Sequence, residues 1–202
     1  MAAGYSSRTG SNKLLLDLGG KSVLERCLES MTPWCSRIII VGGYRINELN
    51  SVLPSSDCWE IIFNSSYSDG MFSSVIKGIS RVRGDRFFLC PGDYPLVQMQ
   101  TYAELLTVEE PIVVPTYQGR AGHPVLITSR LIPDIVTGGY SSLRDFIYTN
   151  NPFYLDTMDA GIRMDIDTIE DYDDIVSKFY SGLHEGENIY GKCLGRNNSS
   201  AP

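Results

Sequence analysis

The chain has 202 residues, 43% of them apolar, which is enough for one substantial core and gives no basis for dividing it into two domains. A formal net charge of −7 argues against nucleic acid or an anionic membrane as the main partner, while leaving room for a local basic pocket that takes a small anion. No apolar run approaches the roughly 20 residues that span a bilayer, and the first residues lack the charged and apolar regions of a signal peptide, so a cytoplasmic protein is expected.

In chain order, a glycine-containing loop follows Met1 at once, whereas a phosphate-cradling loop in an α/β sheet normally follows a strand. In a doubly wound sheet that strand is central, and its loss would leave neighbouring strands unpaired, so a further apolar strand ahead of Met1 is expected. Ser22 to Met31, with Ser22 and Glu25 at capping-box spacing, reads as a helix. Strands are predicted at Arg37 to Val41, Glu60 to Phe63, Arg86 to Cys90, Ile112 to Pro115 and Pro124 to Thr128. Helices are predicted at Gly70 to Val82, at Gln98 to Val108 and at Thr168 to Phe179, the last with Thr168 as cap and acids in its first turn. This alternation predicts an α/β domain over 1–180. From 181 to 202 the composition shifts to Gly, Asn and Ser, which bury too little surface to order themselves, and a flexible tail is expected.

The five cysteines, Cys27, Cys35, Cys58, Cys90 and Cys193, form no CxxC pair, which disfavours both a disulfide framework and a zinc site and predicts free buried thiols. With only His123 and His184 available, a histidine-rich metal site is excluded and oxygen ligands are the natural source of any metal site.

Three segments carry candidate chemistry. In AAGYSSRTGSNK, Ala2 to Lys13, Gly4 and Gly10 allow close backbone approach, Ser6 and Ser7 add donors, and Arg8 and Lys13 supply cations, a composition suited to a triphosphate cradle or to an ordinary basic loop. In PGDYP, Pro91 to Pro95, a carboxylate at the end of an apolar strand is placed either to ligate a hard cation such as Mg²⁺ or simply to make a turn. In DIDTIEDYDDI, Asp165 and Asp167 precede the helix cap at period-two spacing, so one site can receive either or both. The later acids of that run, Glu170, Asp171, Asp173 and Asp174, read as a solvated helix start.

Taken together, these segments resemble the Rossmann-like nucleotidyltransferases that include molybdenum cofactor cytidylyltransferases and guanylyltransferases. The resemblance implies a three-layer fold with a mostly parallel central sheet. AAGYSSRTGSNKLL is similar to the family's signature loop, which places Ala2, Ala3, Gly4, Arg8 and Lys13 at the nucleotide, with Arg8 and Lys13 on its phosphates. The family's GD-x-P motif implies that Asp93 ligates Mg²⁺, and its D-x-D-T-P-E-D motif implicates Asp167 as second ligand, with Ile169 in place of the family proline. NSSYSDGMFSSVIKG resembles a segment bordering the nucleotide pocket and nominates Ser73 and Ser74, with Phe72 where a serine is usual. GRAGHPVLI is similar to the cytidylyltransferase branch and assigns Gly122, His123 and Pro124 to the acceptor, although a lone His is more often a satisfied strand-end residue. GGYSSLRDFI keeps only a glycine and Arg144 of an element that faces the acceptor in relatives.

The implied reaction is transfer of CMP from CTP to the terminal phosphate of the molybdenum cofactor, with Mg²⁺ on Asp93 and Asp167, Arg8, Lys13 and Asp93 as catalytic residues, and a molybdoenzyme as eventual client. An acceptor phosphate is already ionised at pH 7, so no nucleophilic serine or histidine base is required. Ala3 adds a methyl beside the base where the guanylyl branch tends to carry glycine, which favours CTP over GTP. Two alternatives stand beside this reading: the same fold acting on another phosphorylated acceptor, and a non-catalytic module that binds the cofactor and delivers it.

Overall fold

The run Ile38-Ile39-Ile40-Val41 shows why the first sheet forms: β-branched residues pack well on a pleated surface, and most of this run is buried. The computed structural model describes residues 12–53 and 56–185. Strand β1 (Ile38–Gly42) pairs in parallel with β2 (Trp59–Phe63), and helices α1 (Val23–Met31) and α2 (Ile46–Val52) pack on them through Leu24, Leu28 and Leu49. The predicted capping box opens α1: Ser22 Oγ accepts from Glu25 N–H at 3.2 Å, while Glu25 Oε2 accepts from Ser22 N–H at 2.7 Å. A cap of this kind is worth about 1 kcal/mol.

Helix α3 (Met71–Ile79) leads to β3 (Arg86–Leu89), followed by α4 (Met99–Leu106), β4 (Ile112–Tyr117), β5 (Arg120–Ala121) and β6 (Val125–Thr128). Helices α5 (Ile132–Thr137) and α6 (Leu143–Thr149), strand β7 (Phe153–Asp156) and helix α7 (Ile169–Glu185) complete the order. In the second sheet β6 lies between β3 and β4 and runs antiparallel to both, while β7 pairs with β4 in parallel. Strands β3, β4 and β7 therefore share one direction.

Alternation along β4 and β6 separates two cores. Ile112, Val114, Val125 and Ile127 face α3, α5 and α6, with Phe146 of α6 fully enclosed. Val113 and Leu126 face Leu105 of α4 on the other side. Helix, sheet and helix thus form three layers, and full burial of a side chain such as Phe146 contributes about 1.5–3 kcal/mol.

Among the described residues the two sheets share no ladder. The edges of β1 and β3 instead line an apolar cavity of about 260 Å³, closed by Leu28 of α1 and Val75 and Ile79 of α3.

The predicted strands and helices are all present, with ends shifted by a few residues. The last helix differs most: α7 continues to Glu185, past the predicted end at Phe179 and into the segment expected to be a tail. Gly182 inside it costs roughly 1 kcal/mol, too little to stop a helix anchored by Ile175 against Leu18, Val23 and Ile166. Residues 186–202 lie outside the described residues. Cys27 is buried as expected, with its thiol donating to the Gly92 carbonyl at 3.2 Å, but Cys58 is exposed in the turn before β2.

Candidate active site

Three segments distant in sequence meet at one ammonium group. Lys13 opens a single 3₁₀ turn whose Leu14 N–H is held by Asn12 Oδ1 at 3.3 Å. Its Nζ lies 2.7 Å from Asp93 Oδ2 and 3.0 Å from Asp167 Oδ1, and it donates to the Ile166 carbonyl at 2.5 Å. Asp93 sits just beyond the C-terminal end of β3, and its carbonyl accepts from Ile166 N–H at 3.1 Å, which lashes PGDYP to DID. Burial by itself lowers the Lys13 pKa, but the Asp93 charge and the hydrogen bonds to Asp93 and Asp167 outweigh it, so the pKa is raised and the cation is secured.

The remaining carboxylate features show what this cluster can hold. Asp93 Oδ1 is buried and has no hydrogen-bond partner among the described residues, an expensive state for an acid unless a further cation or donor is supplied. The Asp167 side chain is 61% exposed and therefore open to an incoming ligand. Two carboxylate oxygens already converge on one positive charge, and a divalent ion fits that donor set. Mg²⁺ commonly takes one or two carboxylates and completes its shell with water and substrate phosphate. Among the described residues no group of three or more His, Cys, Asp or Glu side chains is arranged to hold a metal ion, which leaves Asp93 and Asp167 as the pair that converges.

Asp165 and Asp167 share a neighbourhood, as their spacing predicts, but differ in setting. Asp165 is half-buried and lines an adjoining cavity; burial, then the charges of Asp167 and Asp93, raise its pKa. Asp171 proves to be more than a solvated acid. It closes a second capping box, accepting from Thr168 N–H at 2.7 Å and from Asp167 N–H at 3.1 Å, while Thr168 Oγ1 accepts from Asp171 N–H at 3.2 Å. Those hydrogen bonds with Thr168 hold its carboxyl below the usual range. The cap fixes the backbone of Asp167, which compensates for the proline replaced by Ile169.

The adjoining cavity, about 640 Å³, is bounded by α3, the stretch from β5 to the start of β6, α6 and the segment 162–165. Two close backbone approaches shape it. A Cβ on Gly122 would lie 2.3 Å from the Ile162 carbonyl oxygen, and one on Gly161 would lie 2.1 Å from that of Leu96. Buried Asp159 reinforces the second approach by accepting from Gly161 N–H, Gln98 N–H and the Thr101 hydroxyl.

Gly122 and His123 line this cavity, whereas Pro124 is buried and is not part of its lining. His123 packs edge-on against Tyr94 with ring centroids 5.1 Å apart. Its pKa is lowered to about 4 by burial, against the raising effect of a hydrogen bond to the Leu89 backbone, so the ring is neutral at pH 7. Nδ1 is buried without a partner.

Ser73 and Ser74 form a different knot: Asn64 Nδ2 donates to Ser73 Oγ at 2.9 Å and to Ser74 Oγ at 3.0 Å, and Ser74 is only 2% exposed. Phe72, the departure from the family serine, lines the large cavity together with Met71. Sequence reasoning also missed Tyr94, Arg120, Tyr148, Tyr154 and Arg163 on that cavity; Tyr94 lies inside PGDYP and Arg120 inside GRAGHPVLI, but Tyr148, Tyr154 and Arg163 sit in no motif, and only the fold brings the five together. Ala2, Ala3, Gly4 and Arg8 lie outside the described residues.

The model of the MobA-like NTP transferase domain family matches residues 1–151. Molybdenum cofactor cytidylyltransferase of Escherichia coli (strain K12) is 30% identical over 173 residues, which cover 85% of this chain and 90% of that protein. A nucleotidyl transferase from Methanothermobacter superposes with a TM-score of 0.76 at 21% identity, covering 89% of this chain and 95% of that one. A Mycobacterium tuberculosis protein crystallised as a manganese complex superposes with a TM-score of 0.69 at 19% identity, covering 87% and 94%. No helix among the described residues is long and apolar enough to cross a membrane. Three-layer architecture, the convergence of Lys13 with Asp93 and Asp167, and these matches lead to one assignment: the chain belongs to the MobA-like NTP transferase domain family and is a nucleotidyltransferase.

Proposed function

We propose that the protein transfers CMP from CTP to the terminal phosphate of the molybdenum cofactor and releases pyrophosphate. The observation that carries this reading is the meeting of Lys13 with Asp93 and Asp167, a compact alternation of positive and negative charge beside a cavity large enough for a second substrate. An acceptor phosphate oxygen bonds to the α-phosphorus of CTP as the bond from that phosphorus to the β-phosphate bridge breaks, and the bridging oxygen leaves on pyrophosphate. Catalysis of such a transfer is positioning and charge neutralisation, with no proton to abstract.

Asp93 and Asp167 would hold Mg²⁺, which would supply Lewis-acid neutralisation of the phosphate charge. The manganese complex of the Mycobacterium tuberculosis neighbour supports a divalent ion on this fold. Lys13, relieved of its carboxylates, reaches the departing phosphates, and Arg8 of the same loop shares that load. Ala2, Ala3 and Gly4 carry the nucleotide, with Ser73 and Ser74 bracing the segment beside it. Gly122, His123 and Pro124 border the acceptor. The match to the Escherichia coli cytidylyltransferase over most of both chains supports CTP and the cofactor as substrates, and a molybdoenzyme as recipient of the product.

Pyrophosphate release measured with each of the four NTPs, with and without molybdenum cofactor and Mg²⁺, tests this directly. Release with CTP that requires both cofactor and metal is the expected result. Release that requires a different phosphorylated acceptor would displace the cofactor assignment, and cofactor binding without any release would replace catalysis with delivery.

A further inference from the structure

The acidic balance of the chain makes one feature of the large cavity conspicuous. Arg120 from the β4–β5 hairpin, Arg144 from the first turn of α6 and Arg163 from the segment before Asp165 all line it. No carboxylate lies within ion-pair distance of Arg120, Arg144 or Arg163 among the described residues. Arg163 Nη1 donates only to the Ala121 carbonyl, at 3.4 Å, and the Arg144 guanidinium lies over the Tyr148 ring at 5.4 Å. Like charges gathered on one cavity repel each other, a cost that an anionic ligand reverses, and guanidinium is the group best shaped for bidentate contact with phosphate-like oxygens.

The same cavity has aromatic walls in Phe72, Tyr94, Tyr148 and Tyr154, and its volume of about 640 Å³ falls within the range of small-molecule sites, about 300–1,000 Å³. Cations together with flat apolar walls select against a simple sugar phosphate, which offers anionic charge but no ring face to stack.

We propose that Arg120, Arg144 and Arg163 are the residues that determine acceptor specificity, binding a phosphomonoester whose flat heteroaromatic body lies against Phe72, Tyr148 and Tyr154. This rests on the nucleotidyl-transfer reading above and names the acceptor side of that site. Phosphate-bearing heterocycles then compete for the cavity, and phosphorylated sugars do not.

The test is steady-state kinetics at saturating CTP and Mg²⁺ with molybdenum cofactor varied, on Arg120→Gln, Arg144→Gln, Arg163→Gln and the triple variant. Loss of one charge-assisted contact should raise the acceptor KM by about 10-fold or more, with the CTP KM held within about twofold, and the corresponding lysine variants should recover part of the loss. An acceptor KM unchanged in the triple variant would overturn the proposal. So would wild-type use of ribose 5-phosphate as efficiently as the cofactor. Should the wild-type protein release no pyrophosphate from any NTP, the nucleotidyl-transfer reading fails separately. Direct binding of molybdenum cofactor, followed by protein fluorescence, then decides the pocket: at least about 10-fold weaker binding by the triple variant supports it, and equal or absent binding by both proteins overturns it.

Discussion

Replacing Lys13 with Met removes the cation from the carboxylate cluster while keeping an unbranched side chain of similar reach. The lost contact with Asp93 spans 2.7 Å between side chains only 18% and 17% exposed, and a charge-assisted bond in that setting is worth about 1.5–3 kcal/mol. The Asp167 partner, at 61% exposure, adds no more than about 1 kcal/mol. A loss of roughly 2–4 kcal/mol follows, and for a domain of this size it corresponds to a fall in Tm of about 4–15 °C. A divalent ion should reverse the loss, because in Lys13→Met it meets two unpaired carboxylates and in the wild type it must displace an ammonium. Thermal unfolding of both proteins in chelator and in millimolar Mg²⁺ or Mn²⁺ is the assay. The expected outcome is a larger metal-induced rise in Tm for the variant. Equal rises in the two proteins, or a metal-free loss below about 2 °C, would show that the lysine and the ion do not share this site.

Asp93→Asn preserves shape and removes a formal charge; kcat is expected to fall at least about 10²-fold, the scale of losing one electrostatic contact in a transition state, with no rescue by saturating Mg²⁺. Asp167→Asn should do less, since its side chain is exposed and an amide oxygen still ligates, whereas a greater loss in Asp165→Asn would move the second ligand to that residue. Because the folded-state pKa of His123 lies near 4, below the ordinary value of about 6.5, its neutral ring contributes stability that is complete above pH 6.5 and disappears as the pH falls through 4. Urea titrations from pH 7.5 to 4 should show the wild type losing up to about 3 kcal/mol more than His123→Gln, and parallel pH curves would refute the assignment. For the base, Ala3→Gly should shrink the ratio of kcat/KM for CTP over GTP from an initial value of about 10–200, the worth of one methyl-sized difference; an unchanged ratio would place base selection elsewhere.

Much of this site was legible in the sequence because hard electrostatics concentrates in short motifs. A carboxylate between Gly92 and Pro95 at the end of an apolar strand, and paired acids ahead of a cap at Thr168, can be recognised without coordinates, and Asp93 and Asp167 do meet. What the spacing left open was which of Asp165 and Asp167 points at Lys13; the Asp171 cap and the burial of Asp165 determine that, and both depend on tertiary packing. Strand β7 escaped detection for a related reason. Phe153 and Tyr154 are both exposed, so no alternation marks FYLD, and its strand character comes from the parallel ladder with β4. Helices α5 and α6, of 6 and 7 residues, are too short to show a clear period.

The large cavity, proposed above as the acceptor side, is built on another principle. Its arginines and aromatic rings come from α3, the β4–β5 hairpin, α6, β7 and the segment around Arg163, each contributing one or two residues with no local pattern. What makes these contributions converge is backbone proximity: Gly122 against the Ile162 carbonyl, Gly161 against that of Leu96, and Asp159 binding the N-terminal end of α4. A side chain at either glycine would push those backbones apart and open the cavity without touching a ligand. On the proposed reading, changes around the hairpin and α6 alter which acceptor is taken, while Lys13, Asp93 and Asp167 continue to serve the nucleotide. This division explains why motif matching reached the phosphate chemistry of this protein more easily than the identity of its second substrate.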